Sequence, residues 1–164
     1  MKQLYIIRHA KSSWGDFSLP DIERPLNERG KTDAPAMAKR LLDKKINLDA
    51  FVSSPAKRAK KTCSLFCTEY DVKEKDIIII EKLYAAPAAT FFEVINELDN
   101  KYKRVAIFSH NPGITDFVNT LCEKVQIDNM PTCGIFAVEA SIEKWKDFKD
   151  AEKKFLFFDY PKNI

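Results

Sequence analysis

Six short apolar runs along the chain predict β-strands. They cover residues 3–7, 48–54, 76–82, 104–109, 134–140 and 154–160. Within each run the apolar side chains mostly follow one another instead of alternating with polar ones, which is typical of strands covered on both faces of a sheet. The pattern therefore predicts a buried central sheet of about six strands.

Stretches with helical periodicity lie between these runs. The first, residues 30–45, places Ala34, Met37, Ala38, Leu41 and Leu42 at helical spacing, with Lys and Arg on the other side. Further helices are predicted over 55–70, 90–100 and 112–124. Signals for their starts are Ser54 before Pro55, the capping-box pair Thr90 and Glu93, and Asn111 before Pro112.

Strands that alternate with helices indicate an α/β fold with right-handed crossovers. We expect a three-layer sandwich, a mostly parallel sheet with helices on both faces, formed by residues 1–164 as a single domain. The polar segment 10–29 is the longest predicted loop, and long loops in compact domains are often functional. Its aromatic residues Trp14 and Phe17 either pack into the core or line the mouth of a pocket, and we favour the core.

Composition narrows the class of protein. The 164 residues are 45% apolar and 31% charged with a net charge of +3, which is typical of a globular chain with a substantial core. This charge is too small, and the lysines are too scattered, to indicate nucleic-acid binding. The apolar run near the start ends at Arg8, and no run approaches ~20 apolar residues, so neither a signal peptide nor a membrane span is predicted. We expect a cytoplasmic protein.

Cysteine and histidine counts limit the metal chemistry. The four cysteines, Cys63, Cys67, Cys122 and Cys133, contain no CxxC pair, and we expect them to be free and mostly buried thiols. The chain has two histidines, which leaves few ligands for a zinc site. The sequence therefore predicts neither a bound metal nor a cofactor.

Unusual residues follow three of the predicted strands. The first strand ends in Arg8-His9, the second leads into a helix whose first turn carries Arg58, and the fourth ends just before His110. Ligands of open α/β sheets bind at the carboxyl ends of the parallel strands, so these side chains should share one edge. Arginine forks match phosphate oxygens, and helix N-termini attract anions. The sequence predicts a phosphate site, to which Arg24 of the long loop is a further candidate.

Two histidines beside a phosphate suggest covalent chemistry. A neutral imidazole is a competent nucleophile near its usual pKa of ~6.5, and a second one can donate hydrogen bonds to the transferred oxygens. No P-loop, GxGxxG or kinase motif occurs, so a nucleotide-dependent transferase is not expected.

The segments "RHAKSS", "ERPLNERG", "SSPAKRAKKT" and "SHNPG" occur in that order and together resemble the histidine phosphatase superfamily, also called the phosphoglycerate mutase-like fold. The short chain and the segment "MPTCGIFAVE" are similar to the compact SixA-type phosphohistidine phosphatases. The resemblance implies that His9 is the nucleophile and that Arg8, Arg58 and His110 complete the phosphate pocket. It also implies that Arg24, Ser12 and Asn111 contribute to substrate binding.

The general acid of the wider superfamily has no clear counterpart. Glu81 precedes Leu83 and Tyr84, whereas in the family a Glu follows that Leu; Asp21 of the long loop is the other candidate. The imidazole that leaves phosphohistidine is far less basic than an alkoxide, so its departure needs less help from an acid. This favours cleavage of a P–N bond over an alkyl P–O bond.

The leading hypothesis is thus a metal-independent phosphatase acting on protein phosphohistidine. One alternative is a monoesterase for small molecules, phosphoserine or sugar phosphates, with Asp21 or Glu81 as the acid. The second alternative is a non-catalytic phosphate-binding module, which is disfavoured because both histidines and the arginines are present. The partner is accordingly a phosphorylated protein or a small phosphorylated molecule, not a nucleic acid or a membrane.

Overall fold

The computed structural model describes all residues, 1–164. The strands are β1 (Lys2–Arg8), β2 (Ala50–Ser53), β3 (Ile78–Ile79), β4 (Arg104–Ser109), β5 (Ile135–Ala140) and β6 (Lys153–Asp159). The α-helices are α1 (Glu28–Asp43), α2 (Lys57–Glu69), α3 (Ala88–Asn96) and α4 (Gly113–Val118). Short 3-10 turns cover Asp21–Glu23, Glu74–Asp76, Glu81–Leu83 and Trp145–Asp147.

All six strands form one sheet in the order β3-β2-β4-β1-β5-β6. The pairs β2–β3, β2–β4 and β1–β4 are parallel, whereas β5 runs antiparallel to both β1 and β6. The predicted α/β fold with a mostly parallel six-stranded sheet is confirmed. Because β1 and β4 are parallel neighbours in the middle of the sheet, their carboxyl ends lie side by side.

Two apolar layers fill the space between the sheet and the helices. One layer joins α3 and α4 to one face of the sheet, with Phe91 and Phe117 as its largest helical side chains. The other joins α1 and α2 to the opposite face through residues such as Met37 and Phe66. Successive strand residues such as Ile6 and Ile7 alternate between the two layers, which explains the unbroken apolar runs.

Several predicted helix ends are wrong. Helix α3 begins after Pro87, so Thr90 lies inside it and forms no capping box. Helix α4 has six residues and not thirteen, because the side chain of Asn119 bonds both the N–H and the carbonyl of Ile127 and turns the chain away. Helix α2 begins after Ala56, and its N-cap has no side-chain hydrogen bond. Ser54 is therefore not the cap of that helix.

Two further expectations fail in the segments beside the sheet edge. The predicted strand 76–82 shrinks to Ile78–Ile79, because the following 3-10 turn carries Leu83 into the core. Trp14 and Phe17 do not join the core: their exposed fractions are 62% and 88%. The loop between β1 and α1 is fixed at its base by a bridge between Ser12 and Leu26, which leaves its tip outside the sheet layers.

No helix combines the length and the apolar content that crossing a bilayer requires.

Candidate active site

A pocket of about 310 Å³ lies at the carboxyl ends of β1 and β4. Arg8 and Ser109, the last residues of these strands, are register partners, so His9 and His110 emerge next to each other. Their ring centroids are 5.2 Å apart. The residues that line the pocket are Arg8, His9, Lys11, Ser12, Trp14, Asp21, Arg24, Arg58, His110, Asn111 and Thr132.

His9 is buried and oriented by the backbone. Its Nδ1 atom lies 2.8 Å from the carbonyl oxygen of Ala10, and since a carbonyl only accepts, Nδ1 carries the hydrogen. The lone pair is therefore on Nε2. Burial, against the opposing effect of the Ala10 carbonyl and with help from His110, Arg8 and Arg58, lowers the pKa of His9 to about 3. The ring is neutral at pH 7, which is the form that attacks phosphorus.

His110 is held by a serine. Its Nε2 atom lies 2.7 Å from Oγ of Ser54, and its Nδ1 atom is buried without a hydrogen-bond partner. Burial lowers the pKa of His110 to about 4, and the positive charge of Arg58 acts in the same direction while Asp21 opposes it. The second histidine is thus also neutral at pH 7, with one nitrogen available to a ligand.

Three arginines supply positive charge around the histidines. The Nε atoms of Arg8, Arg24 and Arg58 are all buried without a hydrogen-bond partner. Burial lowers the pKa of Arg8, and repulsion from Arg24 and Arg58 lowers it further. Buried donors without partners are costly, and an anion with several oxygens satisfies them and relieves the repulsion. The arrangement is that of an oxyanion pocket.

Other contacts fix each guanidinium. Arg8 donates from Nη1 to the carbonyl oxygen of Met130 at 2.8 Å. Arg24 donates to Oγ of Ser12 and stacks on Trp14, with Cζ 3.8 Å from the ring centroid. Arg58 donates from Nη1 to the backbone carbonyl of Asp21 at 2.7 Å. The pocket is therefore preorganised.

A family model ties these residues to known proteins. Residues 4–84 match the model described as the histidine phosphatase superfamily, branch 1, a span that includes Arg8, His9 and Arg58. Over this span, about half of its length, the chain is similar to the histidine phosphatase superfamily. The prediction of a phosphatase, made from the family resemblance together with the strand-end residues, is confirmed.

Two curated proteins are similar to this one over most of the chain. An uncharacterized protein of Mycobacterium tuberculosis is 28% identical over 166 residues, covering 95% of this chain and 100% of its own. An uncharacterized chloroplastic protein of Arabidopsis thaliana is 27% identical over 154 residues, covering 89% of this chain and 70% of its own.

Solved structures show the same fold. The protein histidine phosphatase SixA complexed with tungstate superposes with a TM-score of 0.83 at 21% identity, covering 98% of both chains. A SixA protein of Agrobacterium tumefaciens superposes with a TM-score of 0.81 at 22% identity, again covering 98% of both chains. A mycobacterial glucosyl-3-phosphoglycerate phosphatase superposes with a TM-score of 0.72 at 15% identity, covering 95% of this chain and 97% of its own. The expected SixA-type, phosphoglycerate mutase-like fold is confirmed.

The two candidate acids have different positions. Glu81 is exposed and does not line the pocket, because the 3-10 turn that begins with it directs Leu83 inward instead. Asp21 does line the pocket, and its Oδ2 accepts from Tyr84 at 2.6 Å and from Arg58 at 3.0 Å. The Tyr84 hydroxyl, with further help from Arg58 and Arg24, lowers the pKa of Asp21 to about 2. Asp21 is an ionised acceptor at pH 7 and carries no proton to give.

Asn111 differs from its expected position as a helix cap. Its amide donates to Asn129 and to the carbonyl of Met130, and its Oδ1 accepts from the hydroxyl of Thr115 at 2.6 Å. Since Arg8 binds the same Met130 carbonyl, Asn111 connects the two loops that close this side of the pocket.

Three residues of the site, Tyr84, Lys11 and Thr132, were not predicted from the sequence. Tyr84 binds Asp21 and lies edge-on to His110, with ring centroids 5.7 Å apart. It follows Leu83 directly, at the position where the resemblance called for a carboxylate, and that mismatch was the available signal. Lys11 and Thr132 reach the pocket from loops that the chain pattern does not distinguish from others.

Proposed function

We propose that this protein hydrolyses protein phosphohistidine through a covalent phosphohistidine intermediate on His9. The observation that carries the proposal is the bond from Nδ1 of His9 to the Ala10 carbonyl, which leaves the Nε2 lone pair of a neutral, buried imidazole free in a cationic pocket. Attack on a phosphoryl group requires a nucleophile in this protonation state and in this charge environment.

The reaction proceeds in two displacements. In the first, Nε2 of His9 forms a bond to phosphorus while the bond from phosphorus to the substrate imidazole breaks, and the departing nitrogen keeps the electron pair and takes a proton from solvent water. In the second, water attacks phosphorus, the bond to Nε2 breaks, and inorganic phosphate leaves. Arg8, Arg58 and His110 stabilise the charge on the equatorial oxygens in both steps, and Arg24 and Ser12 hold the bound phosphate.

The state of the carboxylates favours P–N cleavage. An alkoxide leaving group needs a proton, but Asp21 is ionised and bound to Tyr84, and the same contact raises the pKa of Tyr84. An imidazole leaving group has an unperturbed pKa of ~6.5 and departs with much less assistance. The pocket thus lacks the group that a sugar phosphate or phosphoserine would demand.

The shape of the pocket supports a phosphate carried by a protein. Trp14 lines the pocket and is also largely exposed, and the neighbouring Phe17 is almost fully exposed. The reacting groups therefore lie close to open surface, within reach of a phosphorylated side chain.

A substrate panel tests the proposal. Phosphate release is measured from a phosphohistidine peptide, a phosphoserine peptide and a sugar phosphate, each with the wild type and with His9→Ala. We expect kcat/KM for phosphohistidine to exceed that for the two esters by at least about a hundredfold, the usual worth of one missing general acid. Comparable turnover of the esters would contradict the P–N preference and would favour the monoesterase alternative.

A further inference from the structure

Ser54 lies behind His110, outside the pocket-lining residues, and is completely buried. The sequence suggested that it caps α2, but that helix begins after Ala56. Its Oγ instead makes two contacts: it accepts from the backbone N–H of Ala56 at 3.2 Å and lies 2.7 Å from Nε2 of His110. The hydroxyl is thus directed at the second histidine.

The hydrogen on this hydroxyl has one recipient. Because the Ala56 N–H donates to Oγ, the Ser54 hydrogen needs an acceptor elsewhere, and Nε2 of His110 is the only acceptor in contact with it. A neutral imidazole has one bare nitrogen and one N–H. If Nε2 accepts from Ser54, the hydrogen of His110 is on Nδ1.

The opposite tautomer leaves two groups unsatisfied. With the hydrogen on Nε2, the buried Ser54 hydrogen has no acceptor, and the unpartnered Nδ1 of this pocket-lining histidine is bare. The oxygens of a phosphate dianion only accept, so a bare Nδ1 repels them. With the hydrogen on Nδ1, the buried and unpartnered Nδ1 becomes a donor to phosphate, and Ser54, Ala56 and His110 are all satisfied.

We propose that Ser54 is a positioning residue that holds His110 in the Nδ1–H tautomer, so that this histidine donates a hydrogen bond to the phosphoryl group. The proposal rests on the proposed function of the pocket. It gives Ser54, the serine of the segment "SPAKRA", a role in the chemistry, acting through His110 and without contact to substrate.

The tautomer itself is measurable in the wild-type protein. The chain has two histidines, so the His9→Ala variant assigns the His110 signals in a long-range ¹H–¹⁵N spectrum of ¹⁵N-histidine-labelled protein. We expect His110 to show a protonated Nδ1 and a bare Nε2 at pH 7, both in the free wild type and with saturating inorganic phosphate. A protonated Nε2 with a bare Nδ1, or a doubly protonated ring, overturns the proposal.

A matched pair of serine variants tests the consequence for catalysis. Ser53 is the neighbouring buried serine, and its hydroxyl donates to the carbonyl of Ser54 and does not contact His110. With p-nitrophenyl phosphate, Ser54→Ala should lower kcat about tenfold, the worth of one hydrogen bond, with a smaller change in KM. Ser53→Ala should retain kcat, and Ser54→Thr, which keeps a hydroxyl, should recover most of the loss.

Equal kcat values for the two alanine variants overturn the proposal, even if the wild type is an active phosphatase. A wild type that turns over no phosphorylated substrate contradicts the proposed function instead, and the spectrum still decides the tautomer. If Ser54→Ala does not fold, the wild-type spectrum alone confirms or refutes the assignment.

Discussion

Asp21 binds the Arg58 guanidinium at two points. Its backbone carbonyl accepts from Nη1 at 2.7 Å and its carboxylate accepts from Nη2 at 3.0 Å, which leaves Nε of Arg58 as the buried donor without a partner. The negative charge of Asp21 offsets part of the positive charge of the pocket. We expect a phosphate that binds Arg58 to replace this compensation, so that Asp21 and the substrate compete for the same cation.

Asp21→Asn should strengthen phosphate binding. The amide keeps an oxygen for Arg58 while removing the charge that repels a dianion, so the inhibition constant of inorganic phosphate should fall severalfold. Turnover of a phosphohistidine peptide should change by less than about tenfold. If Asp21 were the general acid instead, kcat for a phosphate ester would drop on the order of a hundredfold or more.

The kcat/KM of the enzyme should show no titration centred near pH 6.5. Attack requires neutral His9, whose pKa burial lowers to about 3, so kcat/KM should stay level as the pH falls from 7 to 5. Steady-state rates with p-nitrophenyl phosphate, corrected for its own ionisation, measure this. A sigmoidal loss of kcat/KM centred near pH 6.5 would contradict the assignment of a neutral buried nucleophile.

The free energy of unfolding should change between pH 7 and 5.5, a range over which we expect kcat/KM to stay level. The pKa values of His9 and His110 are lower in the folded than in the unfolded chain, so protons bind first to the unfolded chain as the pH falls below about 6.5. The free energy of unfolding should decrease by about 1 kcal/mol per histidine between pH 7 and 5.5. Urea denaturation at both pH values tests this, and a double His→Ala variant should show a shallower dependence.

Trp14 should affect affinity through Arg24. It stacks against the guanidinium at 3.8 Å, so Trp14→Ala should free Arg24 and raise KM for a small phosphorylated substrate severalfold, with kcat nearly unchanged. Phe17→Ala is the matched control, because Phe17 is 88% exposed and forms no ring contact with a cation. Equal KM values for the two variants would show that the stack does not position Arg24.

Gly113 should be intolerant of a side chain. A Cβ there would lie 1.7 Å from the carbonyl oxygen of Ala86, at the start of the helix that follows His110. Gly113→Ala should lower the free energy of unfolding by about 1–3 kcal/mol, as overpacking does in cores. At Gly15 a Cβ would meet only Oγ of Ser13 at 3.3 Å, so Gly15→Ala should stay within about 0.5 kcal/mol of the wild type.

The sequence predicted the sheet and the histidine pair for a physical reason. Apolar runs locate buried strands, and the carboxyl ends of neighbouring parallel strands must share an edge, so Arg8, His9 and His110 could be placed together without coordinates. Arg58 followed from its position in the first turn of the helix after β2.

The remainder of the site depends on contacts between distant segments. Tyr84 reaches Asp21 across 63 residues, and Ser54 reaches His110 across 56. A local capping rule assigned Ser54 to its own helix because propensities describe only sequence neighbours. Trp14 was expected in the core, whereas its stacking on Arg24 is a tertiary contact outside the core that no local pattern reveals.

Trapping of the phosphoenzyme tests the central claim most directly. Wild type and His9→Ala are mixed with a phosphohistidine peptide, quenched within one turnover at alkaline pH, and mapped by mass spectrometry. We predict one phosphoryl group on His9 of the wild type, none on His110, and loss of turnover on the order of a thousandfold or more in His9→Ala. Phosphate release by His9→Ala at a rate close to that of the wild type, with no phosphoryl group on His9, would contradict the account.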